Sequence, residues 1–371
     1  MSEHGPSVRF QVWDLRPWGT RYQRQNGEDW SNGVLSCADT KHDDGSWHGD
    51  SQGDESGSDG SLTHRALLYG SEDEFLAATV PFIHEGLDRD EQIRVATTER
   101  NTGWLQAALG AAAERVTFHS SSQCYRHPVR ALAATYRTAH KANPDEQRRA
   151  GLRIIGEPWW TTRTVPEAKE WARYESLVNA ALAGTNVALM CTYDTTTVED
   201  QVINQVARTH PELAECGRVR RSADYADPAL FNSECNALPL AELPAPVLWL
   251  RFSRTDQLAT LRDFVTSQAS RVGVDSQSVV PFVQAVDEIA TNAITHGGGS
   301  GVLQIWTGPR TVLCEVSDTG GGLPDPLVGQ LPSPPGKLRG CGLWLARQFS
   351  DLLEVHSDAT GTIVRLHLTV P

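Results

Sequence analysis

Residues 278–295 read as one long helix with a broad apolar face, and the segments after it leave little choice of architecture. Phe282, Val283, Val286, Ile289, Ala290, Ala293 and Ile294 recur at helical spacing. Residues 303–306 and 312–316 then alternate apolar and polar side chains, the period of antiparallel strands with one buried face. So wide a helical stripe has to be covered, and an alternating sheet offers the surface that covers it. Further strands are expected at 247–252, 353–356 and 362–368, with helices through Leu258, Leu261, Phe264 and Val265 and over 344–349. Residues 247–371 therefore predict a two-layer α/β sandwich.

Polar residues beside that apolar stripe need a reason, because a buried polar group without a partner is costly. Glu288, Asn292 and His296 follow one another at four-residue spacing and so share one side of the helix. A triphosphate site would supply the reason. The Asn292 amide oxygen can ligate Mg2+, and Glu288 can orient or deprotonate an attacking hydroxyl or water. Taken alone, the pair is equally what a hydrogen-bonded contact between two helices would use. Asp318 follows a strand and precedes glycines that include Gly320 and Gly322; a carboxylate there can accept a hydrogen bond from an adenine amino group. Alone, it also reads as an Asp-Gly turn.

Residues 323–339 hold five prolines and two glycines, a connection long enough to be functional. Lys337 and Arg339 stand where they could meet phosphates. Gly340, Gly342 and Leu343 open the 344–349 helix, whose free N–H groups can cradle phosphate oxygens. Thr362, after Gly361, could touch adenine directly or through water.

Upstream, residues 61–215 alternate strands (66–69, 93–97, 116–118, 152–156, 186–193) with helices (72–86, 128–142, and one opened by Pro166), the pattern of a mostly parallel sheet covered on both sides. Ligands gather at the carboxyl ends of such strands. Glu157 and the pair Tyr193 and Asp194 stand at those ends, while His64 and Arg65 are expected just before the first strand. These residues can cap helices and tie loops, or they can line a small-molecule sensory site. The first strand-to-helix turn lacks a Walker-type phosphate loop, so the sheet reads as a degenerate nucleotide-binding type. Residues 216–246 read as a linker. Residues 1–60 read as a disordered leader, in which Trp13 and Trp18 are the sole hint of a docking element.

The formal charge of -13 gives no encouragement for direct nucleic-acid binding. The start lacks the pattern of a secretory signal and no segment is long and apolar enough for a membrane span, so a cytoplasmic, membrane-free protein is expected. The seven cysteines and twelve histidines are dispersed and show no metal-ligand spacing.

Two resemblances sharpen these readings. Residues 61–215 resemble the MEDS sensory module of regulators from methanogens and methylotrophs. The likeness rests on His64-Arg65-Ala66-Leu67-Leu68-Tyr69, Gly156-Glu157-Pro158-Trp159, the Trp-Ala-Arg-Tyr-Glu stretch from Trp171 to Glu175, and Cys191-Thr192-Tyr193-Asp194. It implies a sensor of a small organic signal whose identity the residues do not name. The order Glu-x-x-x-Asn, Asp-x-Gly-x-Gly, Gly-x-Gly-Leu and Gly-Thr is similar to the Bergerat ATPases of histidine kinases, MutL and gyrase. The stretch from Glu288 to Ala293, followed by His296 and Gly297, resembles the anti-sigma-factor serine kinases in particular.

That second resemblance implies ATP and Mg2+ as cofactors and phosphorylation of a serine or threonine on an anti-sigma-factor antagonist. The alternative it leaves open is an ATP-dependent switch that holds a sigma factor or antagonist without phosphoryl transfer. Related ATPase domains often pair, so the resemblance also leaves room for a homodimer. No long heptad region with a phosphoaccepting histidine precedes residue 247, and autophosphorylation on histidine is not expected.

Overall fold

Alternating strands and helices build a seven-stranded sheet in the first half of the chain, and a second, five-stranded sheet fills the remainder. The computed structural model describes residues 62–141, 151–158, 163–215, 217–332 and 341–369. The expected leader over 1–60, including Trp13 and Trp18, lies outside the described residues.

The first sheet grows from β1 (Thr63–Tyr69), α1 (Glu72–Asp88), β2 (Gln92–Thr97), α2 (Glu99–Leu109), β3 (Thr117–Ser120), α3 (Ser121–Cys124) and α4 (Pro128–Lys141). It continues with β4 (Leu152–Gly156), α5 (Val165–Ala181), β5 (Val187–Asp194), α6 (Asp200–Thr209), β6 (Glu212–Glu215) and β7 (Arg218–Arg221). The strand order is β3-β2-β4-β5-β1-β6-β7, parallel throughout except for β7, which returns antiparallel to β6. Side-chain alternation splits the interior into two layers. Ala66, Cys191 and Tyr193 join a core with Trp171 and Leu177 of α5, whereas Leu67, Tyr69 and Met190 join one with Phe75 and Ile83 of α1.

Local chemistry sets the helix starts. Ser71 and Thr98 accept backbone N–H bonds as caps of α1 and α2, and α5 begins with a capping box between Thr164 and Glu167 plus an early proline.

Two expectations need correction. His64 and Arg65 lie within β1 rather than before it, since the strand starts at Thr63 and pairs with β5 from its first residue. The stretch expected as a linker is structured: it supplies β7 and α7 (Pro228–Ala237). Asp227 caps α7 by accepting from the N–H groups of Ala229 and Leu230, Pro228 occupies its first turn, and Phe231 and Cys235 are buried with Ala172 of α5.

The second sheet consists of β8 (Leu248–Phe252), β9 (Gly301–Gly308), β10 (Thr311–Asp318), β11 (Leu352–Asp358) and β12 (Gly361–Thr369), in the order β11-β12-β10-β9-β8 with every neighbour antiparallel. Its inward residues Val312, Cys314, Val316, Val364, Leu366 and Leu368 meet α8 (Leu258–Arg271), α9 (Ser276–Thr295) and α10 (Gly342–Phe349) in one core. On the opposite face Arg365 donates to Glu315, and His367 is paired with Glu354 at 2.8 Å. The chain following α7 covers this face, with the Leu238 and Ala241 carbonyls bonded to His356 and Arg365.

The two halves also meet through buried charge. Glu170 of α5 accepts from Arg173 at 2.8 Å through one carboxylate oxygen and from Arg347 of α10 at 2.7 Å through the other. Arg173 donates in turn to Asn232 and Asn236 of α7. Arg130 of α4 donates to the backbone carbonyl of Gln348. The segment after β10 lies between the cores: Leu323 and Val328 border the second, while Leu327 and Leu331 border the first.

Candidate functional site

The α9 helix is started by Asp275, which accepts from the Ser278 N–H, and its apolar stripe is buried from Val279 to Ala293. Glu288 and Asn292 sit at the margin of that stripe and are half-buried, whereas His296 is exposed at the helix end. Among the described residues, no hydrogen bond engages the Glu288 or Asn292 side chain. Both face the start of α10. A Cβ built on Gly342 would lie 2.6 Å from Glu288 Oε2 and 3.5 Å from Asn292 Nδ2, so this backbone passes close to the acid and the amide, and a side chain there would push the Glu288 carboxylate aside. Leu343, next along, is buried in the core.

Asp318 ends β10 and meets the turn just past the C-terminal end of α9. Its carboxylate accepts from the Gly320 N–H at 3.0 Å and, at 3.3 Å, from the Thr362 N–H of β12. A Cβ on Gly297 would overlap this carboxyl group, which fixes how closely the turn after α9 can pass Asp318. Gly320 lies against Gly297, and Gly322 adopts a positive φ of 77° beside Asp358. Thr362 is buried, with its hydroxyl 3.4 Å from that of Ser357.

One helix thus carries the acid and amide near α10 and leads, one turn later, to the aspartate turn. The expected phosphate-side residues Lys337, Arg339 and Gly340 lie outside the described residues. A cavity of about 410 Å³ opens beside Asp318, lined by Phe252, Gln257, Ser300, Val302 and Thr319. Its lining does not include Glu288, Asn292 or Gly342.

Two structural features bear on whether Mg-ATP fits here. The acid and amide have uncommitted polar atoms beside a glycine, and glycines flank the aspartate where a side chain would collide with it. A carboxamide oxygen suits a hard cation, and backbone N–H groups opening a helix suit phosphate. The residues present fit the group.

The expected sensory residues separate into two places. Glu157 lies just past β4, where it accepts from Tyr69 Oη at 3.0 Å, the Thr98 N–H at 2.9 Å and Asn101 Nδ2 at 2.9 Å. Burial pushes its carboxyl up even though these bonds oppose the shift. Asp194, at the end of neighbouring β5, accepts from Arg100 at 2.6 Å and from Thr196. For Asp194 the balance is reversed: burial raises its carboxyl, but Thr196 and Arg100 outweigh that and hold it below the usual range.

His64 and Tyr193 belong to the other face of the sheet. Tyr193 Oη donates to Glu175 Oε1 at 3.2 Å, and His64 Nε2 lies 3.5 Å from Glu175 Oε2. The sequence reading did not assign a role to Glu175, Glu170 or Arg347. For the two glutamates, charged residues in a helix otherwise rich in buried Trp, Tyr, Leu and Val were the available signal, because such groups are seldom buried unpaired.

Residues 63–211 match the family described as MEDS, the methanogen/methylotroph, DcmR sensory domain, and residues 252–368 match the histidine kinase-like ATPase domain family. The chain is therefore a MEDS sensory domain joined to a histidine-kinase-like ATPase domain of Bergerat type, an ATP-binding signalling domain.

Similar solved structures include the RsbU and RsbW domains of Rv1364c from Mycobacterium tuberculosis, at 21% identity and a TM-score of 0.26, over 34% of this chain and 33% of that one. The likeness thus spans a third of that chain. The catalytic domain of the histidine kinase ThkA is similar at 15% identity and a TM-score of 0.22, over 33% of this chain and 95% of that one. The histidine kinase domain of a blue-light activated histidine kinase from Erythrobacter litoralis is similar at 20% identity and a TM-score of 0.21, over 38% and 75% of the two chains. No curated protein matches the chain. Among the described residues, no helix is long and apolar enough to cross a membrane.

Proposed function

We propose that this chain is a sensor-regulated, Mg-ATP-dependent protein kinase that phosphorylates a serine or threonine of an anti-sigma-factor antagonist. One observation carries the reading: Glu288 and Asn292 face Gly342 at the start of α10, while Gly297, just beyond the same helix, abuts Asp318. Asn292 would hold Mg2+ through its amide oxygen, with the N–H groups of Gly342 and Leu343 turned to phosphate. Asp318 would accept from the adenine amino group, with Thr362 beside it. Lys337, Arg339 and Gly340 are assigned to the phosphates by sequence position, and His296 to the rim. When bound, Mg-ATP supplies the phosphoryl group and the cation that offsets its charge. Glu288 would take the proton of the incoming hydroxyl, and the rest of the contribution is positioning.

The sensory half has a physical route to this site. Glu170 on α5 holds Arg347 on α10, the helix that begins at Gly342. A small molecule bound near Glu157 and Asp194, or near His64 and Tyr193, would act through that contact.

The test is incubation of the full chain with labelled ATP and a candidate antagonist. The expected result is transfer to serine or threonine, lost in Glu288→Ala while nucleotide binding persists. Wild-type protein that retains the partner in the presence of Mg-ATP and transfers nothing would instead be an ATP-dependent binding switch for a sigma factor or antagonist. Partner capture with and without Mg-ATP, combined with sedimentation for a homodimer, would identify the assembly.

A further inference from the structure

Four residues from four elements meet behind the central strands of the first sheet: His64 of β1, Glu175 of α5, Cys191 of β5 and His210 just after α6. All are buried, and one potential ligand atom from each lies within 4.8 Å of every other. Cys191 Sγ is 3.5 Å from His64 Nε2 and 3.4 Å from Glu175 Oε2. Glu175 Oε2 is 3.5 Å from His64 Nε2 and 3.6 Å from His210 Nε2.

The surrounding hydrogen bonds fix what these atoms present. The Asn179 amide nitrogen donates to the carbonyls of Ser176 and Thr209, which leaves Asn179 Oδ1 to accept from His64 Nδ1 at 2.9 Å. His64 Nδ1 therefore carries the ring proton, and Nε2 offers a lone pair. His210 Nδ1 lies 3.0 Å from the Val206 carbonyl and must donate to it, so its Nε2 also offers a lone pair; that atom is buried with no hydrogen-bond partner. Tyr193 occupies the other carboxylate oxygen of Glu175. Two imidazole lone pairs, a carboxylate oxygen and a sulfur thus converge on one small volume. The cysteine proton is the sole hydrogen available among them, too few to satisfy four electron-rich atoms.

We propose that His64, Glu175, Cys191 and His210 form a closed tetrahedral site for a divalent transition metal of the zinc class. Bonds of about 2.0–2.3 Å place tetrahedral ligand atoms about 3.3–3.8 Å apart, and the four separations above fall in that range. One thiolate, two imidazoles and one carboxylate suit Zn2+ better than the hard cations, which favour all-oxygen shells. The Nδ1–H bonds to Asn179 and Val206 are the outer contacts that orient metal-bound histidines. The ion would fasten β1, β5, α5 and the end of α6 together. The sites are dispersed along the chain, so no linear spacing announces them.

The test uses the full chain purified without a metal-affinity tag. Elemental analysis is expected to find about one equivalent of zinc-class metal. Co2+ added to the stripped chain should give a thiolate-to-cobalt charge-transfer band and intense tetrahedral d–d bands. Cys191→Ser should abolish the charge-transfer band, and Asn179→Ala should weaken affinity about 10–100-fold. Should variants fail to fold, the wild-type chain decides: chelation should lower its melting temperature and Zn2+ should restore it. A chain without stoichiometric metal that is silent to Co2+, a cobalt spectrum unaltered by Cys191→Ser, or a melting temperature indifferent to chelator would each overturn the proposal.

Discussion

Arg347 Nη1 stands 2.7 Å from Glu170 Oε2, and the two side chains are 1% and 4% exposed. One is on the helix that begins at Gly342, the other on the central helix of the sensory half. A carboxylate buried to this degree is tolerated because guanidinium groups flank it on both sides, Arg173 being the second.

Glu170→Ala should strand two buried guanidinium groups. Removing one partner of a buried ion pair costs about 3–5 kcal/mol, so denaturant unfolding of the full chain should show a loss of that order. Glu170→Gln keeps an acceptor for one of them and should cost less.

Asp318→Asn should weaken nucleotide binding, because an amide can place a donor where, in the proposed function, the adenine amino group also donates. A hydrogen bond to a charged group contributes about 1.5–3 kcal/mol, or about 10–150-fold in affinity measured by calorimetry. Gly297→Ala should produce a similar defect without touching the aspartate, since the added methyl group would displace its carboxylate.

Gly342→Ala should resemble Glu288→Ala. The methyl group would meet Glu288 Oε2 at 2.6 Å, the mobile end of a side chain, so the fold should tolerate it. Stability should change by no more than about 1 kcal/mol, as for the exchange of glycine in a helix, while phosphoryl transfer falls in a single-turnover assay.

Acid should destabilise the second half through Glu354. Burial alone would raise its carboxyl, but the hydrogen bond and charge of His367, with the charges of Arg365 and Lys169, outweigh burial and hold it below the ordinary value of 4.5. The unfolded chain then takes up a proton at a pH where the folded chain does not. The resulting stabilisation is complete above that ordinary value and is lost as the pH falls through the lower folded value. Urea unfolding across acidic pH should show the loss, and Glu354→Gln should flatten it.

The strand and helix alternation of residues 63–215 was legible because short buried runs, such as the wholly buried Leu152–Gly156, stand between longer helical stretches. The α7 helix was not. Its few buried apolar side chains, Phe231 and Cys235 among them, make a weak stripe, although Asp227-Pro228 carried the cap and first-turn signal. Around the ATPase helix, the acid, amide and glycines were readable because each motif is local. Their company was less so: that Gly297 would restrain Asp318 depends on a meeting between a helix end and a strand end. Glu170 and Arg347 lie 177 residues apart, and neither flank hints at the other.

Leu327 and Leu331 rest against the core of the first half although they belong to the chain of the second. Severing the protein near residue 247 would strip these leucines of their cover, along with the carbonyls of Leu238 and Ala241 that meet β11 and β12. An isolated C-terminal fragment would expose a greasy seam and invite self-association. Weak nucleotide turnover by such a fragment would then report a surgical wound rather than the capacity of the intact chain.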